Sequence, residues 1–183
     1  MILIIQIHNI PFHYYEFIKP IEEIVKNTGL PYTSIHYNNL TKEHLEKSVK
    51  IIISGTSIKD NTFLKDTEKF TWINTYDKPL LGICGGMQLI ATAFQEEILK
   101  GQEIGLHNIT YNKDFLGETG EKEVYELHNY FVNAKTFETI ATSDKYPQAI
   151  RHPQRPIYGV LFHPEVRNKN MIEYFLKNRF YEC

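Results

Sequence analysis

Cysteine is scarce in this chain of 183 residues, which has only Cys84 and Cys183. Two such cysteines give no disulfide framework of the kind that extracellular domains use, so we expect a reducing, cytoplasmic location. A basic excess is also missing, because the net charge is −2 at neutral pH, and neither nucleic acid nor an anionic membrane is an expected partner. No apolar run approaches the length of a membrane span, and residues 1–7 lack the features of a signal peptide.

Metal-binding and nucleotide-binding patterns are missing as well. Gly101 and Gly105 do not precede a predicted helix, unlike the glycines of a phosphate-binding loop. Residues 59–62 are polar and are expected to form a solvated loop. Six histidines show no metal-ligand spacing, and we expect no metal and no cofactor. These six are His8, His13, His36, His44, His107 and His152.

Strand and helix patterns alternate through the first half of the chain. The apolar strands are unbroken, which is typical of a parallel sheet covered on both faces. We therefore predict a three-layer α/β fold, with a mostly parallel central sheet flanked by helices. Between residues 97 and 143, short alternating segments predict a small antiparallel β extension. The length fits one domain, residues 1–183. The predicted strands are 2–7, 32–36, 51–54, 80–83 and 157–162, and the predicted helices are 12–26 with a break at Pro20, 41–48, 66–76 and 171–180.

A strand-to-helix bend is predicted at Cys84. An apolar strand ends directly before this cysteine, and apolar residues recur at helical spacing after it. Such a nucleophile elbow strains the backbone and needs very small neighbours, which Gly82 and Gly86 provide. N–H groups at the helix start favour a thiolate. Glycine-rich turns also bind phosphates, and many free cysteines are inert core residues, so the interpretation depends on a base.

A candidate base, His163, directly follows the last predicted strand, and Pro164 separates it from Glu165. The carboxyl ends of parallel strands meet at one edge of a sheet, so we expect His163 and Cys84 to lie together. Glu165 could accept the imidazole N–H and fix its tautomer. In isolation this motif also fits a simple polar turn. Together with the bend, it predicts a Cys-His-Glu catalytic triad.

Two segments, residues 82–88 and 158–165, resemble the signature motifs of the class I, triad-type glutamine amidotransferases. The order of elements is similar over essentially the whole chain, and the layout is most similar to the separate glutaminase subunits of GMP synthases. The resemblance implies that Cys84 attacks the side-chain amide of glutamine and forms a cysteinyl thioester. His163 would act as base and then as acid toward ammonia, while Glu165 orients it. A separate synthetase partner would accept the ammonia.

The same resemblance implies further site residues. An oxyanion hole would use the backbone N–H of Gly85 together with that of Gly55 or Thr56. Thr56 departs from the family pattern, which has glycine there, and glycine makes an amide flip easy. We therefore expect an oxyanion hole that stays unformed until a partner binds, and slow turnover by the isolated chain. The resemblance assigns substrate binding to Gln88, His128, Asn129 and Tyr130.

Two other functions fit the same residues. A free-standing γ-glutamyl hydrolase or peptidase would keep the triad and need no partner. A non-catalytic regulatory module would keep the fold and lose the glutamine pocket. The segment around Asn129 differs from the Ser-His-x-Asp of GMP synthase subunits, so the acceptor of the ammonia stays open.

Overall fold

The computed structural model describes residues 1–180, which build one nine-stranded sheet with helices on both faces. Cys183 lies outside the described residues. In chain order the strands are β1 (Ile2–Gln6), β2 (Tyr32–His36), β3 (Lys50–Ile53), β4 (Leu80–Ile83), β5 (Glu97–Phe115), β6 (Glu118–Asn133), β7 (Glu138–Thr142), β8 (Pro147–Arg151) and β9 (Ile157–Val160). The α-helices are α1 (Lys19–Asn27), α2 (Lys42–Lys47), α3 (Gly85–Ala93) and α4 (Lys169–Lys177).

Half of the sheet is parallel, in the order β2-β1-β3-β4-β9. Successive side chains of these strands enter two different cores. Ile4 and Ile52 pack on the side of α1 and α4, whereas Ile5 and Ile53 pack on the side of α3. Burial on both faces explains the apolar runs of β1, β3 and β4, whereas the edge strand β2 is less buried and carries polar residues. The α/β class with a central sheet between helices is confirmed.

The antiparallel half is larger than predicted. The order continues from β9 through β8, β7 and β5 to β6, and the strands of the β5–β6 hairpin have 19 and 16 residues. The sheet is therefore mixed rather than mostly parallel. Register shifts between Lys100 and Glu103 and between Tyr111 and Phe115 interrupt the alternation of each strand. Such bulges make one long strand resemble several short ones in sequence.

Two of the predicted helices take other forms. Residues Tyr14–Ile18 form a π-helical turn, and α1 follows with Pro20 in its first turn, where proline is well tolerated. The predicted helix 66–76 is a 3₁₀ helix over Thr67–Thr75. None of the helices in residues 1–180 is both long and apolar enough to cross a membrane.

Three neighbouring parallel strands end at one edge of the sheet, and their ends position the candidate site. The chain after β3 carries Gly55 and Thr56, the chain after β4 carries Cys84, and the chain after β9 leads to His163. Because β3, β4 and β9 are adjacent, segments far apart in sequence meet at this edge.

Candidate active site

Cys84 occupies a strained bend between β4 and α3. Its φ is +48° and its ψ is −103°, a conformation that side-chain-bearing residues rarely adopt. The bend is held by a 2.7 Å hydrogen bond from the Cys84 N–H to the carbonyl of Val160. It also requires glycine on both sides. A Cβ on Gly82 would lie 2.5 Å from the main chain of Gly86, and a Cβ on Gly86 would overlap the carbonyl of Ile53.

His163 and Glu165 form a buried pair beyond the end of β9. The imidazole Nδ1 lies 2.7 Å from Glu165 Oε1. A carboxylate accepts hydrogen bonds, so Nδ1 carries the proton and Nε2 remains for a second partner. The main-chain N–H of His163 donates to the carbonyl of Tyr125 at 2.9 Å, which ties this loop to β6. The ring of Phe17 packs against the imidazole, with centroids 5.2 Å apart.

The backbone of Gly55 brings the histidine and the cysteine together. A Cβ on Gly55 would lie 2.6 Å from His163 Cε1 and 3.3 Å from Cys84 Cβ, so this glycine contacts both side chains. The thiol itself is directed toward the carbonyl of Leu127, with Sγ 3.8 Å from the oxygen. Nε2 of His163 makes no hydrogen bond within residues 1–180. Catalytic hydrogen bonds in substrate-free sites are often unformed and tighten when substrate binds.

The charges around His163 favour its protonated form. Burial alone would lower the pKa of His163, but the charge of Glu165, followed by that of Cys84, outweighs burial and holds the pKa well above its usual value. An imidazolium beside Cys84 stabilises a thiolate, which is the nucleophilic form of cysteine.

Thr56 is held by a buried network that the sequence pattern did not reveal. Its hydroxyl lies 3.3 Å from Asp60 Oδ2 and 3.4 Å from His13 Nδ1. The same carboxylate oxygen accepts from the N–H groups of Asn9 at 2.8 Å and Ile10 at 3.2 Å, and lies 3.0 Å from His13 Nδ1. The expectation of a solvated loop is therefore wrong for Asp60, which is buried because it joins the chain after β1 to the chain after β3.

The second predicted oxyanion donor, Gly85, lies at the start of α3. As the first helical residue it has an N–H with no acceptor inside the helix. That N–H is available beside the sulfur of Cys84. Whether the main chain at Gly55 or Thr56 supplies a partner donor remains a prediction.

The cleft beside the cysteine is nearly closed. Its volume is about 10 Å³, roughly that of one water molecule. Asn129 bridges it, because its side-chain amide donates to the carbonyl of Ile58 at 2.9 Å. A much larger cavity of about 770 Å³ lies between α2 and Thr67–Thr75, and it contains no residue of the predicted triad. The cleft is lined by Thr56, Ser57, Ile58, Asn61, Phe63, Cys84, Gly85, Gln88, Leu127, His128 and Asn129.

The four predicted substrate-binding residues differ in what they present to the cleft. Gln88 is buried, and its amide nitrogen donates to the carbonyl of Tyr130 at 3.4 Å, while its amide oxygen has no partner within residues 1–180. His128 lines the cleft, but its ring nitrogens face Gly101, Glu103 and Glu126. Their roles toward substrate stay predictions.

Comparison with known proteins identifies the family. Residues 13–183 match the family model described as "Glutamine amidotransferase class-I". The chain belongs to this family. Among curated relatives, it is 36% identical over 129 residues to a glutamine-hydrolyzing GMP synthase subunit of Pyrococcus furiosus, a match covering 63% of this chain and 65% of that one. It is 34% identical over 159 residues to the glutamine-hydrolyzing GMP synthase of Listeria monocytogenes, covering 80% of this chain and 30% of that one.

This class-I family member spans slightly less than two thirds of the Pyrococcus furiosus relative and less than a third of the Listeria one. Solved structures agree on the fold. A protein from Thermoplasma acidophilum, described as a GMP synthase subunit, superposes with a TM-score of 0.82 at 21% identity, covering 96% of this chain and 91% of that one. A glutamine amidotransferase from Thermotoga maritima gives 0.72 at 18% identity, covering 96% and 81%.

The charge of Glu165 should control the protonation of His163. We expect Glu165→Gln to lower the pKa of His163, because the attraction that raises it is lost while burial, which lowers it, remains. In the unmodified chain, protonation of His163 stabilises the folded state. This stabilisation is fully present below the pKa of histidine in the unfolded chain, about 6.5, and is lost as pH rises through the higher pKa of the folded chain. NMR titration of the imidazole measures the pKa of His163 in the Glu165→Gln chain and in the unmodified chain.

The matched control is Glu23→Gln, which changes an exposed carboxylate on α1 and should leave the titration of His163 unchanged. An identical pKa in the Glu165→Gln and unmodified chains would contradict this electrostatic account.

Proposed function

We propose that this chain is a glutaminase domain that hydrolyses the side-chain amide of glutamine and delivers ammonia to a separate synthetase. One observation carries the proposal: the backbone of Gly55 packs against both Cys84 and His163, so the thiol and the Glu165-oriented imidazole share one buried site. Membership of the class-I amidotransferase family supports the same chemistry.

In the proposed reaction, His163 holds the proton from the thiol and Cys84 attacks the amide carbon of glutamine. The amide oxygen gains negative charge as the C–S bond forms. His163 then gives its proton to the nitrogen, the C–N bond breaks and ammonia leaves. Water replaces ammonia, loses a proton to His163 and attacks the thioester carbon. The C–S bond breaks, and the products are glutamate and the starting cysteine.

The oxyanion would be stabilised by backbone N–H groups rather than by side chains. Gly85 offers one at the start of α3, where the helix dipole adds to it. The second donor in the proposal is the main chain of Gly55 or Thr56. Gln88 is proposed to hold the substrate, because its unpaired, buried amide oxygen could accept from an ammonium group.

The proposed partner is a synthetase of the GMP synthase type. The Pyrococcus furiosus relative is named as one subunit of a GMP synthase, which indicates an enzyme made of separate chains. The Listeria relative is a single longer chain, and the present chain matches 30% of it. Ammonia released into water would be protonated and lost as a nucleophile, so we propose that the synthetase docks over the carboxyl edge of the parallel strands.

Reaction at Cys84 tests the glutaminase activity. A diazo-ketone analogue of glutamine should alkylate Cys84 in preference to Cys183, because Cys84 lies beside His163 and next to the proposed oxyanion donors. Mass spectrometry of peptides from the treated chain locates the adduct. Cys84→Ala should reduce ammonia release from glutamine by at least about 1,000-fold, since the thioester can no longer form.

A labelled Cys84 with fast cleavage of γ-glutamyl peptides and no ammonia transfer would favour the free-standing hydrolase. No adduct at Cys84, in the chain alone or with its synthetase, would contradict the enzymatic proposal and favour a regulatory module.

The partner proposal has a separate test. We expect the complex carrying Cys84→Ala to lose glutamine-dependent synthesis and to retain synthesis supplied with ammonium salts, because the synthetase accepts ammonia without needing this cysteine. The assay compares the two nitrogen sources in the same preparation. Loss of both activities in a stable complex would refute the proposed division of labour.

The small volume of the cleft and the network at Thr56 support slow turnover without a partner. We expect Thr56→Gly to raise the basal glutaminase rate of the isolated chain several-fold, because the hydroxyl contact with Asp60 is lost and the main chain can turn more freely. Steady-state ammonia release measures the change, with Thr62→Gly outside the cleft as the control. A Thr56→Gly rate at or below the unmodified rate would exclude this explanation.

A further inference from the structure

A second group of chemically active side chains lies in the β5–β6 hairpin, outside the predicted triad. It consists of Glu103, Glu126 and His128. The strand register pairs Glu103 with His128, and Glu126 lies two residues from His128 on the same face of β6. All three side chains are at most 2% exposed. Within residues 1–180, no other group of three or more histidine, cysteine or acidic side chains has this ligand-like spacing.

The distances in this group are those of shared ligands rather than of hydrogen bonds. His128 Nε2 lies 3.5 Å from Glu103 Oε2 and 3.4 Å from Glu126 Oε2. Hydrogen bonds between such atoms are shorter, at about 2.7–3.2 Å. Two ligand atoms on one tetrahedral zinc ion, each about 2.1 Å from the metal, lie about 3.4 Å apart. One ligand atom from each residue lies within 4.8 Å of the others.

His128 is prepared to offer a lone pair to this group. Its Nδ1 lies 3.1 Å from the carbonyl oxygen of Gly101, which can only accept, so Nδ1 carries the proton. Nε2 has no hydrogen-bond partner within residues 1–180. Nε2 therefore points an unshared electron pair between two carboxylates. Metal-binding histidines are commonly held this way, with the second ring nitrogen bonded to a carbonyl.

The two carboxylates differ in what holds them. Glu103 is oriented by Ser143, whose hydroxyl donates to its oxygens at 3.0 and 3.1 Å, and by Gln148, whose amide donates at 2.8 Å. Glu126 is fully buried, yet neither of its oxygens has a hydrogen-bond partner within residues 1–180. A buried carboxylate without a partner is costly, and this one faces the other two ligands.

We propose that Glu103, Glu126 and His128 bind a divalent cation, and that zinc is the ion their chemistry fits best. One imidazole and two carboxylates, each with an oxygen at tetrahedral spacing from the imidazole nitrogen, match zinc, whereas calcium and magnesium take six or more oxygen ligands. Glu103 also lines an open groove of about 640 Å³, which gives the ion a route of entry. His107, with Nδ1 3.8 Å from Glu103 Oε1, stands at this entrance.

The bound ion would brace the strand that forms one wall of the catalytic cleft. On β6, the carbonyl of Tyr125 accepts from His163 N–H, and the carbonyl of Leu127 faces the thiol of Cys84. Glu126 lies between these two residues, and Glu103 ties it to β5 through the ion. The ion takes no part in the proposed glutaminase chemistry, so this inference does not depend on that function. It would give His128 a structural role in place of the substrate contact that the resemblance implies.

Zinc binding by a thiol-free chain tests the proposal. The chain carries Cys84→Ser and Cys183→Ser, so that neither thiol competes, and is stripped with a chelator before titration calorimetry with zinc chloride. We expect one zinc per chain. Adding Glu126→Gln should weaken binding at least about 10-fold, because a ligand is lost while the shape is kept. Adding Glu123→Gln, an exposed change on the same strand, should not.

Cobalt(II) provides an independent readout, since a tetrahedral site with nitrogen and oxygen ligands gives intense visible absorption that zinc should abolish. Circular dichroism checks that each variant is folded, and Glu103→Gln replaces Glu126→Gln if the latter does not fold. The competing state is a proton on Glu126, because burial and the charge of Glu103 raise its pKa to about 8. No zinc bound by the thiol-free chain, or equal affinity with Glu126→Gln and Glu123→Gln, would overturn the proposal.

Discussion

The strained bend at Cys84 is the constraint on which the site depends. A positive φ at a residue with a side chain costs roughly 1–3 kcal/mol, which the surrounding structure must supply. Here the compensation comes from the hydrogen bond to Val160 and from the close packing that Gly82 and Gly86 allow. The bend turns the sulfur out of the strand at the point where α3 begins. The contacts that hold the bend therefore also position the sulfur of Cys84.

The second constraint is the electrostatic attraction that keeps His163 protonated although its burial favours the neutral ring. An isolated imidazole as buried as that of His163 would be neutral, but Glu165 and Cys84 keep it charged. The low exposure that penalises each charge also strengthens the attraction between the charges. Glu126 is also buried but has no hydrogen-bond donor within residues 1–180, so its carboxyl group favours either a proton or a cation.

The parts of the site that sequence patterns could predict are those with local signatures. The strand Leu80–Ile83, the bend after it and the pairing of His163 with Glu165 all follow from residues within a few positions of one another. The network of Asp60 with His13 joins loops 47 residues apart, and a polar loop pattern carries no sign of it.

The β5–β6 hairpin illustrates the same limit at the level of the fold. Its bulges break the alternation that identifies a strand, so its length was not predictable. β7 lies inside the predicted extension without having been separated as a strand, and β8 was not identified. The ligand group within it has a faint signature, with Glu126 and His128 two residues apart on one strand. Recognising the group needs Glu103, and the register that pairs it with His128 is known only once the hairpin is built.

The pairing of β4 with β9 has a consequence for how the molecule forms. These parallel strands place Leu80 beside Ile157, so the neighbours of the cysteine are synthesised long after it. Closing so large a loop costs entropy before any contact repays it, which makes such pairing slow. During refolding, the placement of Cys84 beside His163 should therefore form late, after the strands nearer the amino terminus have collapsed. Labelling of Cys84 by the diazo-ketone analogue of glutamine, which needs the assembled site, would then report when the sheet is complete.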